Sequence, residues 1–179
     1  SSDIRVIAAR GDQIATGHDG GVTFWDPSAG SKVEADLPAK TVGIAYAGDQ
    51  LCTVDDAATP VVRVWRPTVG GVTKLPGAPQ DITAAAASAD GTRVAAAWTA
   101  PSGQDFMVQV WDADGTAVAP PFKSQATGPI ERLALSGNGE RVAWSAPSKD
   151  KTGFANADGS APVTLAATTN KVTALAVAV

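Results

Sequence analysis

The chain has 179 residues, 44% of them apolar and only 6% aromatic, with a formal net charge of −4. Its Lys and Arg residues are scattered, which argues against nucleic acid and anionic membrane as partners. No apolar run approaches the ~18 residues of a membrane-spanning helix. The one cysteine, Cys52, rules out an intrachain disulfide and a cysteine-built zinc site, and is expected to be a small buried apolar side chain.

Helical periodicity is nearly absent. Short apolar or alternating runs are separated by Gly, Asp, Pro, Ser and Thr, the pattern of an all-β fold. In chain order the runs fall into four similar units. Each reads as strand, tight turn, strand, loop, strand, then a short polar or Pro-bearing segment suited to an outer edge strand.

The first unit, about residues 1–40, contains "IRVIAARGDQIATGHDGGVTFWDP" and ends in "KVEADL". The second, 41–80, contains "VGIAYAGDQLCTVDDAATPVVRVWRP" and ends in "VTKLP". The third, 81–122, contains "ITAAAASADGTRVAAAWTAPSGQDFMVQVWDADG" and ends in "TAVAPPF". The fourth, 128–168, contains "IERLALSGNGERVAWSAPSKDKTGFANADG" and ends in "APVTLA". The turns "ARGDQ", "YAGDQ", "SADGTR" and "SGNGER" place Gly, Asn and Asp where a hairpin needs positive φ or a local side-chain cap. Trp25, Trp65 and Trp111 recur 40 and 46 residues apart, and Ala155 follows 44 residues later in the same slot. Residues 171–179, "KVTALAVAV", repeat the pattern of a unit's first strand and are expected to open a fifth unit.

The third strands "VTFWDP", "VVRVWRP" and "MVQVWDADG" resemble the Trp-Asp strand of WD40 repeats. In two of them an Asp lies six residues before the Trp, as in that family: Asp19 before Trp25, and Asp105 before Trp111. The resemblance implies a β-propeller of four-stranded blades, with about four blades present, as part of a seven- or eight-bladed ring. It further implies that Thr16, Asp19 and Trp25 take three places in the hydrogen-bonded group that locks a WD40 blade. Asp105 and Trp111 take two in the third unit, and Trp65 takes the Trp place in the second. The departures are specific. No unit has the family's His ahead of its first strand. The second has Thr59 in place of the Asp and Arg66 after the Trp, and the fourth has lost the Trp. His18, the only histidine, lies between second and third strands, so it is not the family's locking residue. The "ADGTRVA" turn also resembles those of TolB-like propellers.

Several residues invite a chemical reading. His18 beside Asp19 could be part of a catalytic triad, but no G-x-S-x-G is present, and "LALSGNG" reads better as a hairpin turn. Asp112, Asp114 and Gly115 in "WDADGTA" resemble the start of a calcium loop. The later bidentate Glu is missing, and "NADG" at 156–159 repeats the segment one unit on, as a turn would. No cofactor or metal is therefore expected. The tryptophans, including Trp98 and Trp144 on second strands, are expected between blades, with an aromatic sugar platform as the lesser alternative.

His18, Asp55, Asp56, Ser102, Gln104, Lys149 and Asp150 fall in the corresponding loop of successive units, which a propeller gathers on one face. That face is the expected contact for a protein or peptide partner. The expected function is a non-enzymatic interaction or sensor scaffold within a larger cytoplasmic, bacterial, multidomain protein, because "SSDIRV" shows neither a signal-peptide stretch nor an initiator Met. The alternative is a lactonase- or TolB-like enzyme or small-ligand binder, for which Glu131 is the one candidate inward-facing acid. The apolar ending is expected to be covered by further chain, by a second polypeptide, or by a second copy in two-fold symmetry.

Overall fold

The computed structural model describes residues 3–26, 31–36, 40–47, 50–56, 61–66, 71–74, 82–146, 152–165, 172 and 175–178. These form sixteen strands in four antiparallel meanders. The first sheet is β1 (Ile4–Arg10), β2 (Gln13–His18), β3 (Gly21–Asp26) and β4 (Ser31–Asp36). The second is β5 (Lys40–Ala47), β6 (Gln50–Asp56), β7 (Val61–Arg66) and β8 (Gly71–Lys74). The third is β9 (Ile82–Ala87), β10 (Arg93–Thr99), β11 (Phe106–Asp112) and β12 (Phe122–Lys123). The fourth is β13 (Arg132–Leu135), β14 (Arg141–Ser145), β15 (Thr152–Asn156) and β16 (Val163–Thr164). The last strands of the third and fourth sheets are only two residues long, in segments that carry Pro120, Pro121 and Pro162, which remove ladder donors.

The hairpin turns follow from their side chains. In "SADGTR" the Ser88 hydroxyl donates to Asp90 Oδ1 and accepts from the Arg93 backbone N–H, at 2.7 and 2.9 Å. In "SGNGER" Ser136 does the same with Asn138 Oδ1 and the Arg141 N–H, at 2.8 and 3.0 Å. Gly91 and Gly139 take the positive φ that closes each turn.

Register repeats from sheet to sheet. Ile14 pairs with Trp25, Leu51 with Trp65, Val94 with Trp111 and Val142 with Ala155. Directly paired residues share a face. Each sheet therefore has a leading face, with Ile14, Thr16 and Trp25 in the first, and a trailing face, with Ala15, Gly17 and Val22. The trailing face of each sheet packs on the leading face of the next. Ala15 and Val22 meet Leu51; Cys52 and Val54 meet Val94, Ala96 and Trp98; Ala95 and Ala97 meet Val142 and Trp144. Small residues on one side receive large ones on the other. At Gly17 a Cβ would lie 2.6 Å from Val6 Cγ2 and 2.7 Å from Thr41 Cγ2, so only glycine permits this approach of the first two sheets.

The inner strands β1, β5, β9 and β13 are successive neighbours. They line a concavity of about 270 Å³ that includes Val6, Ile44, Ala84, Glu131 and Leu133. The sheets are thus arranged like blades about this hollow.

Trp98, Trp111 and Trp144 are buried between sheets, whereas Trp25 is 39% exposed. It lies on the leading face of the first sheet, which no earlier sheet covers among the described residues. The Trp65 side chain lies outside the described residues. So does part of the 171–179 segment, and its described positions, 172 and 175–178, form no strand. Cys52 is buried, and burial pushes its thiol up to about 12, which leaves it inert as a nucleophile at neutral pH.

Candidate interaction rim

The loops joining second to third strands share one rim, because the meander returns there in every sheet. In the first sheet this connection is only the two-residue turn Asp19–Gly20, closed by the pairing of His18 with Gly21. His18 is accordingly the last residue of β2, not a loop residue as its sequence position suggests. The Gly20 backbone N–H donates to His18 Nδ1 at 3.2 Å. That leaves the ring proton on Nε2, which donates to Thr23 Oγ1 at 3.1 Å. Both ring nitrogens thus hold the hairpin together.

Asp19 forms a two-pronged ion pair with Arg5, through Nε and, at 3.2 Å, Nη2. The Arg5 guanidinium beside it holds the Asp19 carboxyl below its usual range. Arg5 reaches it because a register shift between Ile4 and Val6 leaves Arg5 as an extra residue in β1. The sequence reading missed Arg5, since a bulge has no local signature in "DIRVI". Thr16 and Trp25 are brought together: the Trp25 indole N–H donates to Thr16 Oγ1 at 3.0 Å.

In the second sheet the expected rim residue Asp55 is corrected to a core residue. Its side chain is fully buried and accepts from Arg63 Nη2 at 2.8 Å. Arg63 sits opposite Thr53 on the neighbouring strand, one diagonal step from Asp55 on the same face. Beside Asp55 on that face, Thr41 donates from Oγ1 to the Gly21 carbonyl at 3.1 Å and ties the second sheet to the first hairpin. Asp56 ends β6 opposite Lys40, and its side chain lies outside the described residues.

The third sheet has the longest described rim loop. Ser102 and Gln104 are exposed there, and the Gln104 N–H approaches Ser102 Oγ at 3.4 Å. Asp105 pairs with Lys123 of β12. Trp111 is fully buried between sheets. Behind this loop opens a cleft of about 680 Å³, lined by Gln104, Phe106, Lys123, Gln125 and Thr127. Lys149 and Asp150 lie outside the described residues.

The remaining candidates resolve as turns. Asp114 Oδ1 accepts from the Thr116 N–H and Asp158 Oδ1 from the Ser160 N–H, both at 2.8 Å. Hydrogen bonds from the Ser160 side chain and backbone hold the Asp158 carboxyl below its usual range. Among the described residues no three His, Cys, Asp or Glu side chains gather as a metal site would need. Glu131 borders the inner concavity beside Arg132, and its backbone N–H donates to the Ser145 carbonyl. Among the described residues no helix is long and apolar enough to cross a membrane.

No protein-family model matches the sequence, and no curated protein matches it. Solved structures do resemble the fold. The computationally designed protein Ika8 aligns with a TM-score of 0.72 at 18% identity, over 97% of this chain and 52% of its own. The Dos1 propeller aligns with a TM-score of 0.71 at 14% identity, over 95% of this chain and 49% of its own. The β-propeller domain of Cps50 (Swd1) from Myceliophteria thermophila gives 0.66 at 20% identity, over 87% of this chain and 53% of its own. The chain spans about half the length of each. Its fold is that of a β-propeller, all-β and built from four-stranded antiparallel sheets.

Proposed function

We propose that this chain is a non-enzymatic interaction scaffold, the propeller portion of a larger cytoplasmic protein in which it serves as a sensor for an attached effector. It binds a protein or peptide partner through the rim that carries the second-to-third-strand loops. The observation that supports this most is the cleft beside Ser102 and Gln104. Its volume suits a peptide side chain or two, its floor offers the Phe106 ring, and its walls offer Lys123, Gln125 and Thr127 as polar anchors. His18 and the Arg5–Asp19 pair continue the same rim. The ring is completed by another propeller segment, from the same protein, a second chain or a second copy, to seven or eight blades.

The test is a photo-crosslinking residue placed at Gln104 or, on the opposite rim, at Asp12 in the β1–β2 turn. Exposed to its native extract, the protein carrying the probe at 104 should label one partner, and the protein carrying it at 12 should not. Equal labelling from both positions would refute the assignment of the rim.

A further inference from the structure

Asn138 and Gly139, in the β13–β14 turn, form the only Asn-Gly pair in the sequence. Such a pair carries chemistry of its own. The glycine nitrogen attacks the carbonyl carbon of the Asn side chain, because a following residue without a Cβ does not obstruct the approach. The new C–N bond closes a succinimide ring, and the side-chain nitrogen leaves as ammonia with the proton from the glycine nitrogen. Water then opens the ring at either carbonyl. One opening gives Asp, and the other gives isoaspartate, whose main chain runs through the former side-chain carbon. Water is the sole co-reactant, and nothing is oxidised or reduced.

In the folded turn each reacting group is engaged elsewhere. Asn138 Oδ1 accepts from the Ser136 hydroxyl at 2.8 Å and from the Glu140 N–H at 3.2 Å. Asn138 Nδ2 donates to Glu140 Oε2 at 2.9 Å. The Gly139 N–H donates to the Ser136 carbonyl at 2.9 Å. The carboxamide is thus held to its own turn, and the attacking nitrogen is bonded to another carbonyl. The turn is also fastened to the third sheet. The Asp90 N–H donates to the Gly137 carbonyl at 3.0 Å, and Arg93 Nη1 donates to the Gly139 carbonyl at 3.1 Å. A Cβ at Gly139 would lie 2.7 Å from Arg93 Cδ, so the two sheets meet closely here.

We propose that Asn138 is a site of spontaneous covalent modification, latched by the junction between the third and fourth sheets. Local opening of that junction, short of global unfolding, frees the carboxamide and the Gly139 nitrogen to react. The two products differ in fate. The matching turn of the third sheet already seats an Asp, since Asp90 Oδ1 accepts from the Ser88 hydroxyl and the Thr92 N–H. An Asp at 138 therefore refits. Isoaspartate lengthens the main chain within the turn and does not, so it converts a transient opening of the junction into a lasting one. The proposal is independent of what the rim binds.

Peptide mapping by mass spectrometry, after incubation of the protein in warm, mildly alkaline buffer, tests it. Asn156 and Asn170 serve as internal references, because Ala157 and Lys171 follow them. In unfolding urea Asn138 should convert to Asp and isoaspartate faster than either reference. In native buffer it should convert at least about tenfold more slowly than in urea, which corresponds to an opening free energy above about 1.4 kcal/mol. Arg93→Met, checked as folded by circular dichroism, should raise the native rate severalfold and leave the rate in urea unchanged. Equal rates in native buffer and in urea would overturn the latch, as would a folded Arg93→Met protein that converts no faster than the native one. Conversion in urea no faster than at Asn156 and Asn170 would overturn the site itself.

Discussion

Arg63→Met probes the buried pair in the second sheet. The Asp55 carboxylate is fully buried and accepts from Arg63; among the described residues Asp55 Oδ1 and Arg63 Nε have no partner of their own. Removing the guanidinium leaves a buried carboxylate uncompensated, which costs about 3–5 kcal/mol where such pairs have been broken. A domain of this size is stable by roughly 5–15 kcal/mol, so the loss takes a large share of the total. In urea, with a slope of about 2 kcal/mol per molar, the unfolding midpoint should fall by roughly 2 M. The double variant Asp55→Leu/Arg63→Met replaces the pair by apolar groups and should recover most of the loss, because breaking such a pair costs more than replacing it. The coupling between the two sites is then the readout of the cycle. A single variant costing under about 1 kcal/mol would refute the reasoning, since that is the value of a solvated surface pair.

Three further predictions follow from the packing and the rim. Gly17→Ala should destabilise by roughly 1–3 kcal/mol in thermal or urea unfolding, because the new methyl meets Val6 and Thr41 below van der Waals distance. Trp111→Ala should cost about 3–5 kcal/mol and Trp25→Ala clearly less, since the first is fully buried and the second is 39% exposed. The Asp19 carboxyl, followed by NMR, should titrate below its usual value of 3.8. A carboxyl depressed in the folded state adds stability that is present above its unfolded value and is lost as pH falls through the folded one. Arg5→Gln should return the titration to normal and flatten that acid limb, and an unchanged titration would remove Arg5 as the cause.

The parts of the fold that depend on neighbours in sequence were legible. "SADGTR" and "SGNGER" announce their turns because Ser, Asp or Asn, and Gly cap the backbone within a few residues. The 40- and 46-residue spacing of Trp25, Trp65 and Trp111 identified the strand whose register then repeats at Ala155. What depended on pairing between strands or sheets was not legible. "VDD" looks like a polar loop, and only the register that sets Thr53 opposite Arg63 shows that Asp55 is inside. Arg5 became the partner of Asp19 through a bulge that "DIRVI" does not signal. Trp25 and Trp111 occupy the same slot, yet one is exposed and the other buried, because the difference lies in the sheet next door.

The rim assignment is tested most directly by affinity. With the partner captured at Gln104 in hand, its dissociation constant is measured for the native protein, for Gln104→Arg on the proposed rim and for Asp12→Arg on the opposite one. Loss of one interface anchor should weaken binding about tenfold or more for Gln104→Arg, with less than about a twofold change for Asp12→Arg. Equal affinities for all three proteins, or a loss confined to Asp12→Arg, would contradict a scaffold that works through this rim.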